Sequence, residues 1–331
     1  MHKVINIALS YTSKVIIVTL FILFCSEGNT ASSNPKSNHA GSILWDGQER
    51  KYIAYIPPGY DSRDSVRLLP LVVMLHGGGG GGMIQERITD RGFNRLAEQE
   101  GIIVVYPNGI QRVWNGGRSV KHRPMADVDG TDDVGFINEL IEYFIATYPV
   151  DRHRVYVTGL SNGAMMTQRI ACEMSGKIAA IAPVAGNMHV DLYEKCAPVA
   201  SVPVLMIQGD SDPAMPYEGG AISQNQRLGE RLGEVISTDD NIKFWVSHNQ
   251  CASMPTVTWE PDRVPSDGTR VRKELYSSCL DDAEVVLYTI EGGGHTWPGG
   301  YQYGPESRIG KTSKDIDANV VIWEFFKRHS R

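Results

Sequence analysis

The sequence lacks several features that would direct it to nucleic acids or metals. No run of Lys or Arg is present and the formal net charge is -6, which argues against a polyanionic partner such as nucleic acid. No CxxC pair occurs in the sequence, so we predict no metal site and no cofactor. Internal repeats and long linkers are also absent from the sequence of 331 residues.

Long apolar runs are missing as well. The longest candidate, residues 15–25, follows a basic flank and is too short to span a bilayer comfortably. A polar segment rich in Ser, Asn and Gly follows it, so we interpret residues 1–31 as an export signal with its leader. We therefore expect a secreted protein, extracellular or periplasmic, with no stable membrane span. A membrane-resident helix and a lipid-modified Cys25 are the alternatives, although Phe24 stands where a lipoprotein signal needs a small residue.

The four remaining cysteines are Cys172, Cys196, Cys251 and Cys279. An even number in an exported chain predicts disulfides. Four cysteines allow three pairings, and the sequence alone does not choose among them. We expect nearest-neighbour pairing, Cys172 with Cys196 and Cys251 with Cys279.

Apolar β-rich runs alternate with amphipathic segments over residues 41–331, which predicts one α/β domain with a mostly parallel central sheet flanked by helices. The predicted strands are 52–56, 71–75, 102–106, 155–158, 178–184, 204–207 and 285–290. The predicted helices are 136–148, 164–174 and 320–326. Residues 251–279 are polar and carry the hairpin pair Asp267-Gly268, so we predict an insertion before the last strand, a β-ribbon held by a disulfide.

The stretch Gly159-Leu160-Ser161-Asn162-Gly163 fits the G-x-S-x-G pattern of a nucleophile elbow. In such an elbow a strand turns sharply into a helix, and the flanking glycines remove Cβ atoms that would clash. A strand is predicted before this stretch and a helix after it, so we interpret Ser161 as a catalytic nucleophile. The alternative is an ordinary strand-to-helix turn with a capping serine.

A glycine run at residues 77–82 follows a predicted buried strand and His76. Hydrolases use such a turn to present a backbone N–H to the oxyanion of a tetrahedral intermediate. We assign Gly78 and Asn162 as the two donors and His76 as a substrate contact. A flexible linker is the alternative. A phosphate-binding loop is disfavoured, because no Lys follows the glycines.

Two acidic residues, Asp210 and Asp212, follow the strand 204–207, where a catalytic acid is expected. We prefer Asp212, which begins a rigid Pro-containing turn, and expect Asp210 to support the loop. The alternative is that Asp210 and Asp212 both serve only to form the loop. His295 lies in a glycine-rich loop after the last strand. The order nucleophile, acid, histidine is that of the α/β-hydrolase fold, so His295 is the predicted general base.

Two tryptophans in glycine-rich loops, Trp114 and Trp297, are predicted to contact a sugar or an aromatic acyl group. Core packing is the alternative, and for Trp297 the sequence favours neither core packing nor substrate contact. The polar neighbours of Trp114 favour binding.

With these motifs in order, the chain resembles the secreted polyhydroxybutyrate depolymerase-like and feruloyl esterase family of LpqC type, from about Gly41 to the C-terminus. The resemblance rests on the elbow and on the segments 132–136, 148–151, 182–186 and 293–299. It implies a carboxylic ester hydrolase with the triad Ser161, Asp212 and His295, and it supports the cysteine pairing given above.

The resemblance also implies a small-molecule or polymeric ester as the substrate. Feruloyl or acetyl esters of plant polysaccharide come first, and short or amorphous polyhydroxyalkanoate esters second. An acyltransferase and a non-catalytic carbohydrate-binding protein are the other classes. The chain departs from the family in a longer glycine run, in Ala164 where Gly is frequent, and in a longer acidic segment at 126–131. We expect neither the linker nor the binding domain of depolymerases that attack crystalline polyester.

Overall fold

A mostly parallel β-sheet forms the centre of the molecule. The computed structural model describes residues 38–60, 67–119, 130–223 and 232–331. The predicted export signal at 1–31, Cys25 and most of the acidic segment 126–131 lie outside these described residues. Residues Lys36–Arg331 gather into one compact unit.

The sheet has parallel strands in its middle and antiparallel strands at both edges. The described strands are β1 Asn38–Trp45, β2 Gln48–Tyr55, β3 Leu69–Leu75, β4 Ile103–Pro107, β5 Val150–Leu160, β6 Ala180–Val184, β7 Val204–Gly209, β8 Gly220–Ala221, β9 Glu234–Val235, β10 Thr256–Trp259, β11 Arg270–Tyr276 and β12 Val285–Glu291. Ten of them form one sheet in the order β1-β2-β4-β3-β5-β6-β7-β12-β11-β10, while β8 pairs with β9. Neighbours from β4 to β12 in this order are parallel, and β1, β2, β10 and β11 are antiparallel additions.

Helices connect the parallel strands, which cannot be joined by tight hairpins. The described helices are α1 Gly82–Ile88, α2 Gly92–Leu96, α3 Asp133–Thr147, α4 Asn162–Met174, α5 Val190–Tyr193, α6 Thr238–His248, α7 Glu306–Ile309 and α8 Ala318–Phe326. A π turn covers Ala97–Gly101, and 3₁₀ turns cover Ile110–Arg112, Pro265–Asp267 and Leu280–Asp282. Within the described ranges, no helix combines the length and the apolar character needed to cross a bilayer.

The apolar core lies in two layers, one on each face of the sheet. Alternate residues of a strand point to opposite faces. In β3, Leu71 and Val73 therefore belong to the layer that holds α3, α4 and α6. Val72 and Met74 belong to the layer that holds α2 and α8. Because both faces are covered, every residue of β3 is buried, which explains the continuous apolar run in its sequence.

Each predicted strand and helix has a counterpart in the structure, with shifted ends. The largest shift is in β5, which begins at Val150 instead of residue 155. Its first half carries Asp151, Arg152, His153 and Arg154, and these charged or polar residues conceal the strand from a search for apolar runs.

Both predicted disulfides are confirmed. Cys172 in α4 is bonded to Cys196, and Cys251 after α6 is bonded to Cys279 after β11. The ribbon predicted between the second pair is also present, because β10 and β11 are antiparallel. All of β11 pairs with β12, so the ribbon extends the central sheet by two strands.

Removing the second disulfide should destabilise this edge of the sheet. The bridge closes a loop with a sequence separation of 28 residues. In the chain-entropy treatment, a loop of that size contributes about 3.5 kcal/mol to the free energy of unfolding. We expect the double variant Cys251→Ala/Cys279→Ala to lose about that amount in urea unfolding under non-reducing conditions. An unchanged unfolding midpoint in the variant would contradict a bridge that restrains the chain.

Candidate active site

Ser161 stands at the tip of a sharp turn between β5 and α4. Its φ of 59° and ψ of -119° lie in a region that a non-glycine residue rarely adopts, which marks a strained backbone. A Cβ on Gly159 would lie 2.7 Å from the carbonyl carbon of Gly163, and a Cβ on Gly163 would lie 2.4 Å from the oxygen of Leu75. Only glycine fits at these two positions, so the structure has the elbow that the sequence pattern predicts.

His295 and Asp212 come together from two different loops. Nδ1 of His295 lies 2.7 Å from Oδ2 of Asp212. The other carboxylate oxygen of Asp212 accepts hydrogen bonds from the backbone N–H groups of Ala214 and Met215, at 2.7 and 2.8 Å. The Asp212 side chain is fully buried, so these contacts fix both the carboxylate and the ring that binds it. With Nδ1 donating to the carboxylate, Nε2 is the nitrogen that can take a proton.

Asp210 has a different place. Its Oδ1 accepts hydrogen bonds from the backbone N–H of Gly292 at 2.7 Å and from the hydroxyl of Ser211 at 3.0 Å. Asp210 therefore ties the end of β7 to the loop that carries His295, while it remains exposed itself. This geometry matches the supporting role expected for Asp210.

The backbone of the histidine loop is held from the side of α7. The N–H of His295 donates to the oxygen of Ile309 at 2.6 Å. The hydroxyl of Tyr303 donates to the oxygen of His295 at 2.5 Å. The imidazole is thus positioned by its main chain as well as by Asp212.

One cavity brings these loops to a common point. It has a volume of about 320 Å³, and Ser161 and His295 both line it. The glycine run forms one wall, and mostly apolar side chains form the rest. The wall residues outside the predicted site are Ile84, Gln85, Ile88, Leu160, Tyr303 and Ile309. Sequence analysis missed them, since most lie on or beside the short helices α1 and α7. The one available signal was their position directly after the glycine run or close to His295.

The glycine loop offers backbone donors to this cavity. Gly79 uses its N–H on the oxygen of Arg112 at 2.8 Å, and Gly80 uses its N–H on the oxygen of Gly77 at 3.0 Å. This leaves Gly77 and Gly78 as candidate donors. A Cβ built on Gly78 would lie 3.8 Å from the Cβ of Asn162, so the two predicted oxyanion residues are neighbours.

His76 lies beneath the glycine loop and does not contact the cavity. Its Nδ1 donates to the oxygen of Gly77 at 2.8 Å, and its Nε2 accepts from the N–H of Gly109 at 2.9 Å. Burial, opposed by the hydrogen bond to Gly77 and assisted by the charge of Arg112, lowers the pKa of His76 to about 4. The predicted substrate contact is therefore wrong, because both ring nitrogens are used to support the loop.

Neither tryptophan reaches the cavity, so the predicted role of both is corrected to core packing. Trp114 is 1% exposed, and its indole N–H donates to the oxygen of His76 at 2.9 Å. Its polar neighbour Asn115 is buried too. The backbone N–H of Asn115 donates to a carboxylate oxygen of Asp133 at 2.7 Å, so this polar group is paired inside the protein. Trp297 is 0% exposed and belongs to the core layer that holds α2 and α8.

A second groove adjoins the catalytic cavity. It has a volume of about 560 Å³ and shares Gly80 and Ile84 with the cavity. Polar and charged residues line part of it, including Lys51, Asn108 and Arg112.

Within the described ranges, no group of three or more His, Cys, Asp or Glu side chains is placed to hold a metal ion.

Comparison with known protein families assigns the chain to one of them. Residues 50–220 match the family described as Esterase PHB depolymerase. The chain belongs to this family. It is a carboxylic ester hydrolase of the serine esterase type, as the resemblance in its sequence implied.

Similarity to curated relatives extends beyond residue 220. NocK of Nocardia uniformis subsp. tsuyamanensis, a protein named as an esterase, is 30% identical over 86% of this chain and 81% of its own length. Feruloyl esterase C of Emericella nidulans is 26% identical over 84% of this chain and 83% of its own length. Feruloyl esterase B of Piromyces equi is 27% identical over 74% of this chain, which spans 42% of that longer protein.

The fold is shared with a solved esterase. The structure of an acetyl xylan esterase from Aspergillus awamori superposes with a TM-score of 0.54 at 17% identity, over 78% of this chain and 94% of that one. The predicted α/β-hydrolase fold is confirmed.

The buried His76 should make this esterase sensitive to acid. The unfolded histidine binds a proton below its ordinary pKa of about 6.5, whereas the folded one stays neutral down to a pKa of about 4. Stability is therefore lost as the pH falls between these values. The loss from this group is about 3 kcal/mol between pH 7 and pH 4.

We expect the variant His76→Gln to lose less stability over the same range, because its amide can still donate and accept but does not titrate. Urea unfolding of both proteins at several pH values measures the two slopes. Identical slopes would show that His76 does not remain neutral in the folded protein.

Proposed function

We propose that the protein is a secreted esterase that cleaves feruloyl or acetyl esters of plant polysaccharide, with residues 41–331 as its one catalytic domain. The observation that carries the proposal is the cavity lined by both Ser161 and His295, with His295 bound to the buried carboxylate of Asp212. The names of the relatives support the substrate class, since they include feruloyl esterases and an acetylxylan esterase/xylanase. The two disulfides support export, because they persist in oxidising compartments.

Ser161 is the proposed nucleophile. Its Oγ attacks the ester carbonyl carbon while Nε2 of His295 takes the hydroxyl proton. Asp212 holds the ring in the tautomer with a proton on Nδ1 and stabilises the imidazolium that forms. The carbonyl oxygen becomes an oxyanion, for which the N–H groups of Gly78 and Asn162 are the proposed donors.

The second half of the proposed reaction returns the active site to its starting state. His295 gives its proton to the leaving alcohol oxygen as the carbon–oxygen bond breaks, which leaves an acyl group on Ser161. A water molecule then attacks this acyl group while His295 again takes a proton. The carbon–Oγ bond breaks, Oγ regains the proton, and the carboxylic acid leaves.

The two parts of the substrate are proposed to bind in different places. The catalytic cavity is small and mainly apolar, which suits an acyl group released as a small acid. The adjoining groove is larger and carries Lys51, Asn108 and Arg112, which suits the hydroxyl-rich sugar that holds the ester. The family match gives short polyhydroxyalkanoate esters as the second candidate substrate.

The variant Ser161→Ala should be inactive. Removal of the nucleophile in a comparable hydrolase lowers kcat on the order of 10⁶-fold. We expect a loss of that order for p-nitrophenyl acetate and for methyl ferulate, with an unchanged circular dichroism spectrum. Turnover near that of the original enzyme would refute the proposed mechanism.

The two aspartates provide a matched pair of variants. In Asp212→Asn the amide no longer favours the required histidine tautomer, and the comparable change in a serine protease lowers kcat about 10⁴-fold. In Asp210→Asn an oxygen remains to accept from Gly292, so activity should stay close to that of the original enzyme. Steady-state kinetics on p-nitrophenyl acetate compares the two. A larger loss in Asp210→Asn would reassign the acid.

A further inference from the structure

The groove beside the catalytic cavity carries exposed positive charge, although the chain as a whole has a formal net charge of -6. Three cations line it, and one of them, Arg50, is buried and bound to the buried carboxylate of Asp133 at 2.6 Å. The other two are Lys51 and Arg112. Among the described residues that line the groove, Glu49 carries the one acidic group. The charge that a ligand meets therefore depends on what Lys51, Arg112 and Glu49 already bind.

Arg112 is held beside the glycine loop with its charge unpaired. Its backbone oxygen accepts from the N–H of Gly79 at 2.8 Å, and its N–H donates to the oxygen of Gly109 at 3.1 Å. Its charge lies close enough to His76, beneath the loop, to lower the pKa of that ring. The side chain is exposed, and its guanidinium has no acidic partner within the described ranges. A fixed and available cation thus stands next to the catalytic cavity.

Lys51 and Asn108 add further donors to the groove. Nζ of Lys51 lies 3.7 Å from Oε2 of Glu49, whose Oε1 accepts from the hydroxyl of Ser42 at 2.9 Å. The Lys51 and Glu49 side chains are 69% and 61% exposed, so their long contact is weak and leaves Lys51 able to bind a ligand. Oδ1 of Asn108 accepts from the N–H of Gly82 at 2.8 Å, which leaves its amide NH₂ as the end that a ligand can reach.

The chemistry of these three side chains favours an acceptor that carries negative charge. Guanidinium and ammonium groups only donate, and the accepting oxygen of Asn108 is already used. A hydroxyl group would both donate and accept, whereas a carboxylate only accepts and forms stronger hydrogen bonds with cations. In the proposed reaction the acyl group occupies the apolar cavity, so the groove receives the alcohol part of the substrate.

We propose that the groove binds a carboxylate on the alcohol part of the substrate, with Arg112 as its main partner, so that the enzyme prefers esters of acidic sugars such as uronic acids over esters of neutral sugars. The proposal rests on the function proposed above. It adds to that function a residue that determines which carrier of the ester is accepted.

Two substrates that differ only in this carboxylate test the proposal. They are methyl 2-O-acetyl-glucuronoside, which carries a carboxylate at C6, and methyl 2-O-acetyl-glucoside, which carries a hydroxymethyl group there. We expect KM to be about 5-fold to 25-fold lower for the acidic member, because one exposed ion pair strengthens binding up to about 5-fold and the groove offers two cations. The kcat values should be similar, since the groove does not touch the reacting atoms. About 0.5 M NaCl should remove most of the difference by screening the charges.

The variant Arg112→Gln should lose most of this preference, measured as the ratio of kcat/KM for the acidic and the neutral substrate. Glutamine suits the backbone, because the left-handed φ of 64° at Arg112 follows a φ of 49° at Gln111. Lys51→Gln should lose part of the preference, and its exposed position protects the fold. Arg152→Gln is the matched control, since it removes the same charge near the start of β5, at the opposite end of the strand from Ser161. The control should keep the preference.

Four results would overturn the inference. Equal KM values for the two substrates, in an enzyme that hydrolyses the neutral one, would refute the carboxylate site and leave the proposed function intact. A preference that persists at high salt would not come from exposed cations. A preference unchanged in both Arg112→Gln and Lys51→Gln would place carboxylate binding elsewhere. Absence of p-nitrophenyl acetate hydrolysis in the unaltered enzyme would overturn the proposed function together with this inference.

Discussion

The close packing of two neighbouring strand ends is the constraint on which the site depends. Leu75, the last residue of β3, pairs with Gly159 near the end of β5. The elbow glycines touch the backbone that leads into the glycine loop, so the strained serine and the proposed oxyanion donors are held against each other. The same logic acts farther along the sheet. Gly209 at the end of β7 pairs with Ile290 in β12, which brings the loops of Asp212 and His295 together. Parallel strands present their carboxyl ends at one edge, and that edge carries the site.

A buried polar network supports this arrangement from behind. His76 bonds to Gly77 in front and to Gly109 beside it. Trp114 reaches the oxygen of His76, and its own backbone N–H and oxygen are both bound by the amide of Asn162. Asn162 therefore has two parts to play. Its side chain fixes the tryptophan loop, while its backbone N–H remains the proposed oxyanion donor. Such donors stabilise charge only when they are held in place before the reaction, and a fully bonded layer beneath them provides that rigidity.

The chain order of the motifs and their positions after strands were sufficient to predict the fold and the pairing of His295 with Asp212. The predicted substrate contacts failed for a physical reason. Glycine and polar neighbours suggest an exposed loop, but the polar groups around Trp114 and His76 are satisfied by partners far away in sequence, such as Asp133 and Gly109. The same limit applies to the ribbon. Its turn and its disulfide are local features, whereas its pairing with β12 depends on a register that no local pattern reveals.

The glycine run links the proposed oxyanion donor Gly78 to the wall of the catalytic cavity. The run is longer than the family resemblance implies, and a long glycine run alone would predict a flexible loop. The structure shows otherwise, because a Cβ on Gly82 would lie 2.4 Å from the oxygen of Tyr106, and the N–H of Gly82 donates to the side chain of Asn108. The run is thus packed against β4 and leads directly into α1, which supplies Ile84, Gln85 and Ile88 to the cavity. One continuous segment therefore contains the proposed oxyanion donor Gly78 and a large part of the wall of the catalytic cavity. In the proposed mechanism, an acyl group that binds against this wall also lies beside Gly78, so binding of the acyl group and stabilisation of the transition state would depend on the same piece of backbone.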